Sequence, residues 1–107
     1  MIIINDCNNN KTHIVKDLRI FKIEYDFFEK LTLEDMDNIP PDFPIDIEIY
    51  FKDQYDEIQA VTINKDFKKT TIIIDEVKYD YDFIYHNQER MKAIMEQEMI
   101  KQAIDKL

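Results

Sequence analysis

Pairs of carboxylates two residues apart are the commonest arrangement in this sequence that could do chemistry. On a β-strand, residues at that spacing point to the same face, where they could hold a hard cation or act as acid and base. With 23 Asp and Glu in 107 residues, such pairs also arise by chance on the solvated faces of strands. Three of these pairs are Asp35 with Asp37, Asp46 with Glu48, and Asp80 with Asp82.

The softer ligands and nucleophiles are few and scattered. Cys7, His13 and His86 fall in different segments, and their spacing matches no zinc-binding pattern. A nucleophilic pair of Cys7 with either histidine would require the fold to bring the two side chains together. The sequence therefore predicts no metal ion and no cofactor.

One weak motif keeps an enzymatic alternative open. Pro41-Asp42 together with Glu76-x-Lys78 is similar to the PD…E-x-K arrangement of metal-dependent nucleases. In those enzymes an Asp and a Glu bind Mg²⁺ and the Lys polarises the scissile phosphate. The gap is long here, and the acidic chain offers no basic groove for a phosphate backbone. A carboxylate and metal-dependent enzyme that uses Asp42, Glu76 and Lys78 is thus the alternative interpretation.

The complete absence of glycine excludes several sites at once. A Walker loop, a dinucleotide-binding loop, a nucleophile elbow and an EF-hand loop each need glycine where the backbone turns with positive φ or approaches a ligand. Turns must instead use Asn and Asp, which tolerate the left-handed region best among the other residues. The expected turns lie at Asn8–Asn10 and Asn64–Asp66.

The negative charge is concentrated in one window. Residues 24–57 contain twelve Asp and Glu against two Lys, which gives −10, whereas the whole chain has a net charge of −9. Because this window alternates with Ile, Phe and Tyr, we expect a folded anionic surface that attracts a basic protein. The residues predicted to face that partner are Asp42, Asp46, Glu48, Asp53, Asp56 and Glu57.

Hydrophobic periodicity indicates which elements position these residues. Alternation with period two predicts strands, and apolar residues spaced by three and four predict a helix. The predicted strands are 1–4 as an edge or starting strand, 19–27, 45–52, 58–63 and 71–85, with a short helical turn near Thr32–Asp35. A helix over about 87–107, with Asn87 as its N-cap, should pack Met91, Ile94, Met95, Ile100 and Ile104 on the sheet.

These elements predict one α+β domain over residues 1–107, mostly β over 1–85. Short turns between strands favour an antiparallel sheet of about four to six strands, covered on one face by the C-terminal amphipathic helix. A single cysteine, the lack of a signal peptide and the lack of an apolar span favour a cytoplasmic protein that makes no membrane contact. Basic residues are concentrated only in the small turn cluster of Lys65, Lys68 and Lys69, and the aromatic segment 77–85 has acidic neighbours. Both features argue against direct nucleic-acid binding.

The preferred interpretation is a small acidic, non-enzymatic protein-binding inhibitor. It would act as a nucleic-acid mimic on a basic surface of its partner. The chain is small and acidic, and its many Ile and few Arg are typical of an AT-rich coding sequence. In these respects it resembles the small inhibitors of phages and mobile elements, such as anti-CRISPR, anti-defence and immunity proteins, although no residue motif carries the resemblance. Another alternative is a structural subunit that forms a homodimer through Met91, Met95 or Met99 of the helix.

Overall fold

The computed structural model of the protein describes residues 1–25 and 44–105. Over these residues the fold is α+β, as the sequence predicts, with an open antiparallel sheet of six strands followed by helices. The elements are β1 (Ile2–Asp6), β2 (Lys11–Tyr25), β3 (Ile45–Asp53), β4 (Ile58–Ile63), β5 (Thr71–Ile74), β6 (Val77–Tyr79), α1 (Tyr81–His86) and α2 (Gln88–Asp105). The predicted helical turn near Thr32–Asp35 lies outside the described residues.

The strand order in the sheet is β4-β3-β2-β1-β5-β6. The apolar run that starts the chain therefore becomes β1 in the middle of the sheet, between β2 and β5. Along β3 every odd-numbered residue is buried and every even-numbered one is half-buried. This alternation gives the sheet a core face, which carries Ile47 and Ile49, and an open face, which carries Asp46 and Glu48.

β2 is longer than the sequence predicted. It begins at Lys11, eight residues before the expected start at Arg19. Its pairing with β3 shifts register between Val15 and Asp17 and again between Leu18 and Ile20. Each bulge adds one residue to one strand of a pair, so it reverses the phase of the alternation and conceals the strand from a search for period two.

The prediction of strand over Thr71–Tyr85 is wrong beyond Tyr79. The chain turns at Asp75 and Glu76, forms β6, and then enters α1, where the Asp80 carboxylate accepts a hydrogen bond of 2.8 Å from the Phe83 amide. Aromatic residues at every second position of this short segment fit one and a half turns of helix as well as they fit a strand. The N-capping Asp80 decides the outcome, because Asp is strongly favoured at that position.

The turns confirm the expected use of Asn and Asp. Positive φ occurs within the described residues at Asn10, Asp56 and Asp75, and also at Glu76, where φ is 74°. Asp75 and Glu76 form a two-residue hairpin of the type that needs positive φ at both positions. Glu is poorly suited to this conformation, which disfavours residues with a Cβ by about 1–2 kcal/mol.

The helix α2 buries Met91 and Met95 in the core, as predicted. Its contacts with the sheet are concentrated on β2, where the Gln102 side chain accepts a 2.8 Å hydrogen bond from the Leu18 amide and donates one of 3.3 Å to the Leu18 carbonyl. A helix that covers a whole face of the sheet stays a prediction.

The prediction that Ile100 and Ile104 pack on the sheet is wrong, since they are 58 % and 60 % exposed. At about 100° per residue, Ile100 lies on the opposite side of the helix from Met91. The predicted N-cap residue also differs in role. The Asn87 carbonyl accepts the Met91 amide at the start of α2, but its side chain donates to the Phe83 carbonyl of α1.

Candidate functional site

β3 separates the predicted acidic residues into two groups. Asp46 and Glu48 lie near its start, whereas Asp53 ends it and Asp56 and Glu57 follow in the turn to β4. At a rise of about 3.3 Å per residue, Asp46 and Asp53 are roughly 23 Å apart. Asp42 lies outside the described residues. The five described carboxylates therefore do not form one patch.

The first group gains a member from β2. Glu24 pairs with Asp46 across the two strands, and Lys22 pairs with Glu48. We call Glu24, Asp46 and Glu48 the strand carboxylates. Sequence analysis missed Glu24 and Lys22 as site residues, because their place beside β3 depends on a register that the two bulges of β2 set.

In the part of the chain that the structure describes, Lys22 is the one cation paired with the strand carboxylates. Lys22 Nζ lies 3.0 Å from Glu48 Oε2 and 3.3 Å from Glu24 Oε1. The hydrogen bond to Glu48, then that to Glu24, and the negative charge of both raise the pKa of Lys22, which stays protonated. Counted over residues 1–25 and 44–105, three carboxylates and one ammonium give this corner of the open face a net charge of −2.

The anionic corner borders an apolar row. Tyr50 lies beside Glu48 on the open face, and its hydroxyl donates a long hydrogen bond of 3.5 Å to Glu48 Oε2. Lys22 Nζ lies 5.9 Å from the centre of the Tyr50 ring. Ile20 on β2 and Ala60 on β4 flank Tyr50, and both are exposed. The open face thus combines charge, an aromatic ring and aliphatic surface.

Asp53 has a different environment and is 3 % exposed. Its Oδ1 accepts hydrogen bonds from the Tyr55 and Glu57 amides at 2.9 and 3.0 Å, and its Oδ2 accepts one of 3.0 Å from Gln59 Nε2. Burial alone would raise the pKa of Asp53, but these three hydrogen bonds and nearby His13 together lower it. The carboxylate holds the β3–β4 turn and is not available to a partner.

The other two turn carboxylates are exposed. Asp56 adopts a φ of 62° and its Oδ1 lies 2.6 Å from Lys16 Nζ. The hydrogen bond and charge of Lys16 lower the pKa of Asp56. Glu57 donates its amide to Asp53, but its carboxylate has no ion pair among residues 1–25 and 44–105.

Asp6 repeats the arrangement of Asp53 at the end of β1, and sequence analysis missed it. It is 4 % exposed and accepts hydrogen bonds from the Asn8 and Asn9 amides and from Asn9 Nδ2. An Asp at the end of a strand, followed by turn residues whose amides it can reach, is the signal common to both positions.

The residues considered for metal binding and nucleophilic catalysis lie apart. Cys7 is exposed and its Sγ lies 3.1 Å from the Lys69 carbonyl oxygen. His13 is buried against Phe51 on the core face, whereas His86 is exposed at the end of α1. In the part of the chain that the structure describes, no group of three or more His, Cys, Asp and Glu is placed to hold a metal ion.

The nuclease-like residues occupy a hairpin. Glu76 is an exposed turn residue between β5 and β6, and Lys78 is exposed on β6, opposite Ile73. Asp42 lies outside the described residues, so the structure does not test whether the three residues meet.

An open cleft of about 700 Å³ lies beside α1. Tyr81 and Tyr85 of α1 line it together with Lys65 and Lys68. Lys68 Nζ lies 5.4 Å from the centre of the Tyr81 ring and 3.8 Å from Asp82 Oδ1. The aromatic residues that the sequence placed on a strand therefore belong to a helix and to the wall of this cleft.

Comparison of the chain with protein-family models, with curated proteins and with solved structures finds no match in any of the three. Neither helix of the described residues is long and apolar enough to cross a membrane.

Proposed function

We propose that the protein is a small non-enzymatic inhibitor that binds a basic partner protein through the open face of β2 and β3. The observation that supports this proposal is the net negative corner formed by Glu24, Asp46 and Glu48 around Lys22. These residues lie on paired strands whose other face is the hydrophobic core.

The position of the strand carboxylates on regular strands favours binding. Ile47 and Ile49, which alternate with Asp46 and Glu48, are completely buried, so the backbone that carries the acids is fixed by the core. A preorganised surface loses less conformational entropy on association than a flexible one. Tyr50 and Ile20 add the aromatic and apolar contact area that protein interfaces use beside charge.

The charge of the chain suits a basic partner that otherwise holds nucleic acid. Surfaces that bind phosphate backbones are rich in Lys and Arg, and an anionic protein competes for the same groups. A net charge of −9 also speeds the encounter with such a surface and repels nucleic acid itself. We also propose that the protein acts in the cytoplasm, in line with its single cysteine.

The experiment compares two variants with the same change of net charge. The test variant is Asp46→Lys with Glu48→Lys, and the matched control is Asp66→Lys with Glu89→Lys. None of the four acidic side chains that these variants replace is buried in the core. Each protein is immobilised, proteins from the source cell are captured and identified, and association with the captured partner is then measured by surface plasmon resonance at low and physiological salt.

We expect the test variant to associate at least tenfold more slowly at low salt, and its salt dependence to become flatter, because charges at an interface act mainly on the association rate. The control should behave like the wild type. Equal association rates for the test variant and the wild type at both salt concentrations would overturn the proposal. Equal slowing of both variants would show that only the net charge matters.

A further inference from the structure

The two edges of the sheet differ in how they are protected. β6 has three residues, one of which is Lys78, and short charged edge strands resist pairing with other chains. β4 has six residues, Ile-Gln-Ala-Val-Thr-Ile, without a charge or a proline. Among residues 1–25 and 44–105, β4 pairs with β3 alone, so its other edge is unpaired. β4 is therefore the edge that can accept a further strand.

The residues that flank β4 carry opposite charges. Glu57 precedes the strand and Lys65 follows it, and each lies four residues from Val61. Both side chains are exposed, and neither has an ion pair with another described residue. This arrangement is self-complementary, because an antiparallel copy of the same segment presents its basic end to the acidic end.

We propose that β4 pairs antiparallel with β4 of a second copy of this chain, about a twofold axis at Val61. Two copies related in this way form an isologous interface, in which each contact occurs twice. Glu57 of each copy then lies opposite Lys65 of the other. The two sheets join into one continuous sheet.

This register also matches the faces of the two sheets. Residues opposite each other in an antiparallel pair point to the same face. With the axis at Val61, the buried Ile63 lies opposite Gln59, and the exposed Ala60 lies opposite Thr62. The core faces of both copies therefore lie on the same side. Asp56, which follows Asp53 in the adjacent turn, is already neutralised by Lys16 and adds little repulsion.

A second copy explains the flanking charges better than a foreign peptide does. An unrelated strand would need a basic residue and an acidic residue at the matching positions, whereas the chain itself supplies both. Glu57 and Lys65 also serve no partner within the described part of one copy, which leaves each available for the other copy.

The test measures the molecular mass in solution by sedimentation velocity over a range of protein concentrations. The wild type should show a species of twice the 13.0 kDa of the chain. Glu57→Lys and Lys65→Glu should each weaken dimerisation at least tenfold. The double variant with both changes exchanges the charges, restores the complementary pair, and should recover the dimer.

A second pair of variants separates this interface from one on the exposed side of α2, because Met91 and Met95 of the helix interface predicted from the sequence are buried. Ala60→Lys with Thr62→Lys places two lysines opposite each other across the axis and should give a monomer, whereas Ile100→Asp with Ile104→Asp should leave the dimer intact. Circular dichroism checks that each variant is folded.

Three results would overturn the proposal. The first is a wild type that stays monomeric at every concentration, even if its β4 binds a foreign peptide. The second is a dimer that survives Glu57→Lys. The third is a dimer that only the helix variant disrupts. A double exchange variant that remains monomeric would also contradict the pairing of Glu57 with Lys65.

Discussion

The two ends of β3 carry carboxylates that look alike in the sequence and have different environments in the structure. At the end of the strand, Asp53 is buried and accepts hydrogen bonds from two backbone amides and one side-chain amide. Near the start, Asp46 and Glu48 are half-buried on the open face, where Lys22 is shared between Glu48 and Glu24.

The difference shows what separates a structural carboxylate from an available one. The acceptor positions of Asp53 are filled by donors of its own turn and of β4, so its charge stabilises the fold and contributes little to recognition. The strand carboxylates outnumber their lysine, so part of their charge remains for a partner. Four predictions test this distinction, beginning with the largest effect.

Removal of the Asp53 carboxylate should have the largest effect on stability. Asp53→Ala leaves the Tyr55 and Glu57 amides and Gln59 without their acceptor, and we expect the melting temperature to fall by about 5–15 °C. Differential scanning calorimetry measures the change. Asp66→Ala, which removes an exposed carboxylate of the β4–β5 turn, is the matched control and should melt close to the wild type. If the two variants melt alike, Asp53 does not hold the turn.

The dependence of stability on pH should identify the same residue. Because the pKa of Asp53 is lower in the folded protein than in the unfolded chain, the unfolded chain binds a proton first as the pH falls. The contribution of Asp53 is thus complete above its unfolded pKa of about 4 and is lost as the pH falls through the folded pKa.

Asp53→Asn should therefore be less stable than the wild type at neutral pH, and the difference should shrink below about pH 4. Urea unfolding at a series of pH values measures both proteins. A difference that stays constant from pH 7 down to pH 3 would contradict the assigned role of the charge.

Neutralising the strand carboxylates should change stability little. Asp46→Asn with Glu48→Gln leaves the buried face of β3 untouched, and surface changes of this kind shift the melting temperature by no more than about 3 °C. Association with a basic partner should weaken in the same variant. A large loss of stability would mean that these acids, like Asp53, hold the fold together.

Asp56→Asn should have the smallest effect. It breaks an ion pair with Lys16 that is exposed on both sides, and Asn suits the left-handed φ of this position at least as well as Asp. The melting temperature should stay within about 2 °C of the wild type. A loss similar to that of Asp53→Ala would extend the structural role to the whole turn.

The sequence predicted the α+β class and β3 because the alternation of Ile with polar residues over 45–53 leaves one face apolar. The sequence could not show that Asp53 and Asp46 have different roles, since Asp46 lies within the alternating segment and Asp53 lies at its end. Their difference depends on amides that a particular turn directs at Asp53, and the geometry of that turn is not visible in residue types alone.

The errors have physical causes of the same kind. Two bulges concealed the first half of β2, and the six residues of α1 are too few to show helical periodicity. The apolar residues of α2 recur at spacings of three and four, and this pattern is compatible with more than one buried face of the helix. Met91, Met95 and Gln102 lie on the face that contacts the rest of the fold, which leaves Ile100 and Ile104 in solvent.

The isoleucines of the core face make some parts of the molecule more rigid than others. A β-branched side chain has few χ1 rotamers, so ordering an isoleucine loses about 0.5–1 kcal/mol of rotamer entropy, against as much as about 2 kcal/mol for methionine. Ile45, Ile47 and Ile49 make β3 stiff, whereas α2 is attached through Met91 and Met95. Amide protons of β3 should therefore exchange with solvent only on global unfolding, while those near Ile104 exchange through local opening of the helix end.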